Sequence, residues 1–585
     1  MPMKLLRWAV IAALGLYLGG SVLFFFTPVR NVPVPFILLS AAVMAALVYA
    51  ALRFWPVYRQ LTRAKRISYM IFGTLFPLFI AVSIRGEQPF LTDNHPAVIT
   101  AVWLGVYLAV LAIVTTVIHA GLSVTLVQTG RKASKWMILL YALPSALVSA
   151  YFLAAFYPGA MTPDSLAQWD QALTHKYTDW HPVIHTMLIG LLLDIWESPA
   201  IVAIFQIVLI SAAAGVAGWA LDEARLPKWA IWLVLILFAL SPVHAISSIT
   251  LWKDVAYSAA LFLFTILMFR IVRTGGRVLA SWPFIALYSL TGFMVMFFRH
   301  NGFPVFLIVT AFVLLMYRPY WMKLFPVAAA MVLIYQIVVN PVYTKLEVHP
   351  SDPQEMLSLP TQQIAAIVTQ DGDMTDKQRD YVNRIFPIAK WHEKYNPYSV
   401  DSIKFSWGDY DRFTIYDDWG RYGRTYLQLV KQNPGIAADA LFKQTSLAWQ
   451  INEPEDGYTS KYVTHIYRNN QYGLVNPVLN EERRLNAYNY LKDADESIPF
   501  LWRPAFYTVL ALLFTYIAYL RNNWRAWLLL LPVALNTGAV FVGIPAQDFR
   551  YLLANSMIML PLLLISFVRF DPILKPIQTE VTADD

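Results

Sequence analysis

An acidic turn is the first place in this chain where residue types could do chemistry. Asp164 follows Pro163, and a proline before an Asp-Ser pair is typical of a helix start. Leu166, Trp169 and Leu173 recur at helical spacing and predict a membrane-facing stripe on that helix. A carboxylate in this position is either a simple helix cap or a base that takes a proton from a hydroxyl group.

Two further polar clusters combine basic and acidic groups. His181 opens an apolar segment through a His-Pro step, and His185 follows about one helical turn later. Lys253 and Asp254 are neighbours just before another apolar segment. Each cluster could orient a substrate; alternatively, the histidine is a solvated anchor and the Lys–Asp pair lies on the surface.

Two arginines lie at the ends of apolar segments. Arg299 precedes His300-Asn-Gly, and Arg550 lies in the run Gln-Asp-Phe-Arg-Tyr. A guanidinium group donates two parallel hydrogen bonds to a phosphate, so these positions favour an anion site. The alternative for either arginine is that it only reaches for lipid headgroups.

The elements that position these groups are membrane helices. Of the 585 residues, 58% are hydrophobic and 14% are charged, which excludes a soluble globular enzyme. The chain has no cysteine, so disulfides, zinc thiolate sites and iron–sulfur clusters are excluded. Apolar blocks of roughly 17 to 25 residues predict about 14 transmembrane helices in an all-α polytopic membrane protein. We expect them at residues 5–26, 36–52, 67–84, 97–122, 137–156, 199–221, 230–246, 255–272, 284–298, 303–317, 324–339, 500–520, 527–542 and 552–568.

The apolar segment 183–196 is short, and the lysines and arginines decide how it lies. If it does not cross, the basic residues of the short loops collect on the side of the N-terminus. If it crossed, every later loop would flip against that bias. We therefore predict an interfacial helix, cytoplasmic N- and C-termini, and polar clusters on the extracytoplasmic face of a bacterial plasma membrane.

The chain divides into five predicted parts. These are additional N-terminal membrane helices (residues 1–136), a membrane core (137–341) with an outer loop (157–197), an extracytoplasmic and mainly helical domain (342–497), C-terminal membrane helices (498–570), and a cytoplasmic tail (571–585). We call residues 342–497 the hydrophilic domain.

The pattern of outer motifs resembles integral-membrane glycosyltransferases of the GT-C superfamily, which use polyprenyl-phosphate sugars. The likeness lies in Asp164 on the first outer catalytic loop and in a second outer acidic residue, Asp254. It also lies in the start of the interfacial helix at His181-Pro182, which is close to the His-Pro-Pro pattern of the protein mannosyltransferase-like branch.

Other stretches look like those of bacterial GT-C-like membrane proteins, over about residues 137–568. They include Arg299-His-Asn-Gly302 and Pro360-Thr-Gln362-Gln363. The sequence departs from the superfamily in two respects. Five spans precede the catalytic loop, and Val183 stands where the pattern has its second proline.

The resemblance implies a GT-C-like fold and an inverting transfer of a sugar. The donor is a polyprenyl-phosphate sugar, and the acceptor is an extracytoplasmic glycan, glycolipid or protein. The implied catalytic residues are Asp164, Asp254 and His181; the implied donor-phosphate ligands are Arg299, Arg550 and Lys253; the implied substrate contacts are Ser165, Gln168, His185, His300, Gln362 and Gln363. These residues fit a mechanism without a metal ion, and Asp164 and Asp254 could equally share a Mg²⁺ or Mn²⁺ ion. Membrane lipids surround the protein, and the net charge of +8 comes from the cytoplasmic loops and does not indicate nucleic acid.

Three other functions stay open at this point. A transporter or flippase of lipid-linked sugars would need no catalytic base, and a glycan polymerase or ligase would use arginine and histidine in place of Asp164. A binding module on a membrane anchor is the third. The spans are nearly free of charge, whereas proton-coupled transporters carry ionisable groups near the bilayer midplane.

Overall fold

The computed structural model shows an all-helical chain. It describes residues 2–26, 33–53, 55–84, 94–126, 133–454, 457 and 461–573, and the predicted tail from residue 574 onward lies outside these residues. Within these ranges, sheet-type pairing is limited to isolated bridges such as that between Ala160 and Thr250. The predicted helical, polytopic architecture is confirmed at this level.

Ten helices in the described part of the chain are long and apolar enough to cross a membrane. They are Leu5–Phe26, Val34–Arg59, Arg63–Ser83, Pro96–Ser123, Met137–Ala155, Pro199–Glu223, Lys253–Arg273, Arg318–Lys345, Pro504–Arg521 and Trp524–Gly543.

Four of the predicted spans form apolar helices of 17 residues or fewer. They are Lys228–Ala239, Trp282–Phe298, Gly302–Met316 and Phe549–Ile565. At 1.5 Å per residue, helices of this size cover roughly 18 to 26 Å, less than a hydrocarbon core of about 30 Å. The first of them is short because Pro242 cannot continue the hydrogen-bond ladder and starts a separate helix, Pro242–Ser247.

The helix Lys253–Arg273, which we call the central helix, is buried along almost its whole length. It packs against Pro199–Glu223, Trp282–Phe298 and Leu553–Ile565. A helix that is apolar on every face is stable only when other helices surround it. Its first residues, Lys253 and Asp254, are thereby fixed at one end of the bundle.

Small residues allow the helix Met137–Ala155 to approach Pro199–Glu223 closely. A Cβ atom on Gly215 would lie 2.4 Å from the carbonyl oxygen of Ile138, so only glycine fits there. This contact fixes the helix that leads directly into the acidic turn.

The acidic turn forms the helix Pro163–Thr174, which we call the acidic helix. It begins where the sequence predicts, with Pro163 in its first turn and the Thr162 N–H donating to Ser165 Oγ at 3.1 Å. The predicted membrane-facing stripe is wrong for Trp169. That side chain is 2% exposed and packs in a core that includes Ile189, because the interfacial helix covers this face.

The interfacial helix is Val183–Leu193, with 11 residues. Its length of roughly 16 Å is too short to cross a bilayer, which agrees with the non-spanning prediction. It packs against the acidic helix and against Trp282–Phe298.

The hydrophilic domain is helical and has its own core. Its longer helices are Ser358–Thr369, Asp376–Ile385, Trp419–Gln432, Pro434–Gln444 and Glu481–Ser497. Val382, Trp391 and Leu429 are buried within it. The domain is fastened to the bundle by backbone contacts: the Val400 N–H donates to the Pro545 carbonyl at 2.8 Å.

Candidate functional site

One cavity of about 700 Å³ brings together five of the predicted residues. Asp164, Lys253, Arg299, His300 and Arg550 all line it. They come from the acidic helix, the start of the central helix and two turns between apolar helices. Residues separated by hundreds of positions in the sequence therefore share one site.

Arg550 bridges two carboxylates in this cavity. Its Nη1 lies 2.7 Å from Asp164 Oδ2, and its Nε lies 3.0 Å from Asp548 Oδ2. The guanidinium also lies 5.0 Å above the ring of Trp252. Burial alone would raise the pKa of Asp164, but the charges of Arg550 and Lys253 lower that pKa below its usual range, so the carboxylate is ionised at neutral pH.

Arg299 is held by the second predicted acid. Its Nε lies 3.3 Å from Asp254 Oδ1, and its Nη1 donates to the Tyr551 carbonyl at 2.7 Å. Asp254 is 1% exposed and does not line the cavity. The structure thus places this predicted catalytic residue behind Arg299, where its charge fixes the guanidinium.

His181 has a comparable place behind Lys253. Lys253 Nζ donates to His181 Nδ1 at 2.9 Å, and the histidine is buried and absent from the cavity lining. Burial, followed by the nearby charge of Lys253, lowers the pKa of His181 to about 3. The neutral ring can accept the lysine hydrogen bond, so it positions Lys253 and does not reach the cavity.

Three predicted substrate contacts are used inside the protein. Gln168 Nε2 donates to Thr186 Oγ1 at 2.9 Å and lies 3.2 Å from His185 Nδ1. Ser165 accepts the hydrogen bond that begins the acidic helix. None of the three lines the cavity: Gln168 and His185 join the acidic helix to the interfacial helix, and Ser165 caps the acidic helix.

The remaining predicted contacts, Gln362 and Gln363, lie inside the hydrophilic domain. Gln362 Nε2 donates to the Asn396 carbonyl at 2.6 Å, and Gln363 Nε2 donates to the Ala437 carbonyl at 2.8 Å. Both side chains are buried, and neither lines the cavity. Their hydrogen bonds hold the helix Ser358–Thr369 in its domain.

A second wall of the cavity is apolar. It is formed by the end of the helix Trp527–Gly543 and the residues after it: Ala539, Val540, Val542, Gly543, Ile544 and Pro545. Val542 is 69% exposed, so this surface is open to an apolar ligand.

The third wall comes largely from the hydrophilic domain, and sequence reasoning missed it. Asp401, Lys404 and Glu355 line it, and Trp180 of the outer loop lies beside them. No local motif indicates these residues, because they are far in sequence from the other cavity residues and come close to them only in the folded protein. Asp548 was easier to find, since it stands two positions before Arg550.

The charges around the two predicted metal ligands do not favour a divalent cation. Asp164 is paired with Arg550, Asp254 is paired with Arg299, and Lys253 adds a further positive charge to the same cavity. These cations already neutralise the carboxylates that a Mg²⁺ or Mn²⁺ ion would need. We therefore derive no chemical step through a metal ion.

The model described as "Family of unknown function (DUF6020)" matches residues 34–572. The chain belongs to this family. The match includes the acidic helix, the central helix, the hydrophilic domain and Arg550. No curated protein and no solved structure matches the chain.

Proposed function

We propose that this protein is a membrane glycosyltransferase that moves a sugar from a polyprenyl-phosphate donor to an extracytoplasmic acceptor. The observation that carries the proposal is the cavity in which one ionised carboxylate, Asp164, faces three cations beside an apolar wall. A GT-C-like fold and a bacterial plasma-membrane location are parts of the same proposal.

The cavity suits both ends of such a donor. Lys253, Arg299 and Arg550 offer charge-assisted hydrogen bonds to a phosphate. The apolar wall at residues 539–545 offers a surface to the first isoprene units. A cationic site next to an apolar surface suits a lipid-phosphate ligand.

The proposed reaction needs few groups. The acceptor hydroxyl oxygen attacks the anomeric carbon, and Asp164 takes its proton as the new bond forms. The bond between the anomeric carbon and the phosphate oxygen breaks, and its electron pair leaves with the polyprenyl phosphate. Arg299, Arg550 and Lys253 stabilise the charge that develops there. Asp254 and His181 position two of these cations.

A transporter or flippase of lipid-linked sugars is the second candidate, and one observation favours it. The carboxylate of Asp164 is bound by Arg550 at 2.7 Å, and a carboxylate with a lowered pKa is a weak base. A carrier would need this pair only to hold an anionic headgroup.

The replacement Asp164→Asn separates the two candidates. It keeps the size of the side chain and one hydrogen-bond acceptor for Arg550, but it removes the base. We expect sugar transfer from a radiolabelled polyprenyl-phosphate sugar to fall roughly 100-fold to 10,000-fold in reconstituted vesicles, while the protein still binds the donor.

Asp194→Asn is the matched control, because Asp194 is an exposed carboxyl group at the end of the interfacial helix. It should leave transfer unchanged. Normal transfer by the Asp164→Asn variant would refute the base assignment. Donor movement across the vesicle bilayer with no glycosylated product from the unaltered protein would favour the carrier.

A further inference from the structure

The third wall of the cavity is held rigidly against the cationic residues. Its short helix Asp401–Lys404 follows Val400, whose N–H donates to the Pro545 carbonyl at 2.8 Å. The loop that contains Pro545 continues through Gln547 to Arg550. Gln547 Nε2 donates to the Gln444 carbonyl of the hydrophilic domain at 2.7 Å. The hydrophilic domain and the arginine loop therefore form one surface.

Asp401 has hydrogen-bonding capacity that the protein does not use. Its Oδ1 atom is buried and accepts no hydrogen bond, and it forms a long ion pair with Lys404 Nζ at 3.6 Å. The side chain as a whole is 31% exposed and lines the cavity. A half-buried carboxylate with an unsatisfied oxygen suits a ligand that donates a hydrogen bond.

An aromatic platform lies next to this carboxylate. The rings of Trp180 and Phe405 are stacked, with centroids 5.8 Å apart and an angle of 8° between their planes. Lys404 Nζ lies 4.7 Å from the Phe405 ring centroid and 5.8 Å from that of Trp180. These cation–ring contacts help to hold the two stacked rings in place. The negative face of such a ring attracts the polarised C–H bonds of a sugar ring.

The charge of the wall limits which ligand it can take. Asp401 and Glu355 are two carboxylates that share Lys404, whose Nζ lies 2.8 Å from Glu355 Oε2 and 3.6 Å from Asp401 Oδ1. The wall therefore repels a phosphate or carboxylate group and tolerates hydroxyl groups. The cationic residues of the same cavity, Lys253, Arg299 and Arg550, have the opposite preference.

We propose that this third wall is the acceptor subsite and that it takes a neutral, hydroxyl-bearing sugar ring, stacked on Trp180 and hydrogen-bonded through a hydroxyl group to Asp401. The inference rests on the proposed glycosyltransferase function and names the class of its acceptor. Donor and acceptor thus occupy different walls of one cavity, and Asp164 lines the same cavity.

Binding of an acceptor without donor tests this subsite directly. The full-length protein in lipid nanodiscs would be titrated by calorimetry with an uncharged octyl hexoside and, separately, with the same hexoside carrying a 6-phosphate. We expect the uncharged compound to bind at least tenfold more tightly than the phosphorylated one. Asp401→Asn and Trp180→Ala should each weaken binding of the uncharged compound at least tenfold.

Asp409→Asn is the matched control, because Asp409 lies in the same domain with a half-exposed side chain outside the cavity. It should bind the octyl hexoside like the unaltered protein, and the melting temperature of each variant checks folding. Absence of binding, equal binding of the phosphorylated compound, or unchanged binding by Asp401→Asn would overturn the subsite.

The KM for the hexoside tests the acceptor subsite separately from the proposed transferase activity. Transfer from the polyprenyl-phosphate sugar to the octyl hexoside should show a KM for the hexoside at least tenfold higher in Asp401→Asn, with donor binding unchanged. A protein that binds both ligands and forms no product would refute the transferase while leaving a hexose site intact.

Discussion

At the residue scale, the role of each ionisable side chain depends on the charges it meets in the fold. Asp164 and Asp254 are both acids near the membrane boundary in the sequence, yet only Asp164 lines the cavity. Arg550 lies between Asp164 and Asp548, whereas Arg299 is held by Asp254. A sequence pattern identifies such groups as candidates, and their burial and partners decide which can touch a ligand.

The replacement Arg550→Gln tests the bridge between the two carboxylates. Removing one partner of a buried ion pair leaves an uncompensated charge, which costs about 3–5 kcal/mol. We expect a lower thermal unfolding midpoint and at least a tenfold loss of polyprenyl-phosphate affinity. The loss of stability should be smaller at pH 5 than at pH 8, because the unpaired carboxylates bind protons as the pH falls.

Arg468→Gln serves as the comparison, since Arg468 is exposed and forms no ion pair with any described residue. It should leave the midpoint and the affinity unchanged. An Arg550→Gln variant as stable as the unaltered protein at pH 8 would show that Asp164 and Asp548 do not depend on the guanidinium.

At the element scale, the cavity depends on where helices begin. The acidic helix starts at Pro163 and the central helix at Lys253, and each start places a polar residue at the end of the bundle. The indole N–H of Trp252 donates to Thr162 Oγ1 at 2.9 Å, so the two helix starts are joined directly. This bond therefore helps to fix Asp164 and Lys253 relative to each other.

Gly302→Ala tests one of these starts. Gly302 begins the helix Gly302–Met316, and a Cβ atom there would lie 1.7 Å from the carbonyl oxygen of Val295. The Gly302 N–H also closes the turn that begins at Arg299. We expect a loss of about 1–3 kcal/mol in unfolding free energy and weaker donor binding, because the turn must open and move Arg299.

Gly538→Ala is the control for the same change on a neighbouring helix. No atom lies within 4 Å of the position that its Cβ would take. It should leave donor binding unchanged. A Gly302→Ala protein with unaltered stability and affinity would show that the turn tolerates a side chain and does not set the position of Arg299.

At the scale of the whole molecule, the ten long helices show a multi-pass membrane protein, while its orientation rests on the distribution of basic residues. The hydrophilic domain and the cavity lie at the same end of the bundle, since the domain supplies one wall. If the cavity is extracytoplasmic, its acceptor comes from outside the cell.

Cysteine labelling tests this orientation without background, because the chain has no cysteine. Met356 lines the cavity and is 74% exposed, and Ser134 is exposed just before the helix Met137–Ala155. We expect a membrane-impermeant maleimide to label Met356→Cys in intact cells and Ser134→Cys only after permeabilisation. The reverse pattern would place the cavity in the cytoplasm and remove the extracytoplasmic acceptor from the proposal.

The sequence by itself determined the membrane class, the helical architecture and the start of the acidic helix. These features depend on hydropathy and on local backbone chemistry, which neighbouring residues specify. It also picked out Asp164, Lys253, Arg299, His300 and Arg550, because charged groups at the ends of apolar segments are few.

Only the tertiary structure decided which of these groups meet and what stands between them. Asp254 and His181 lie behind the cavity, and Asp401 and Trp180 line its third wall. The side chains of Gln362 and Gln363 are used for hydrogen bonds inside the hydrophilic domain. Burial and ion pairing arise between segments far apart in the chain, so no local pattern encodes them. For the same reason the predicted span 230–246 is divided into two helices, Lys228–Ala239 and Pro242–Ser247: composition marks an apolar block, whereas helix length depends on where the packed backbone bends.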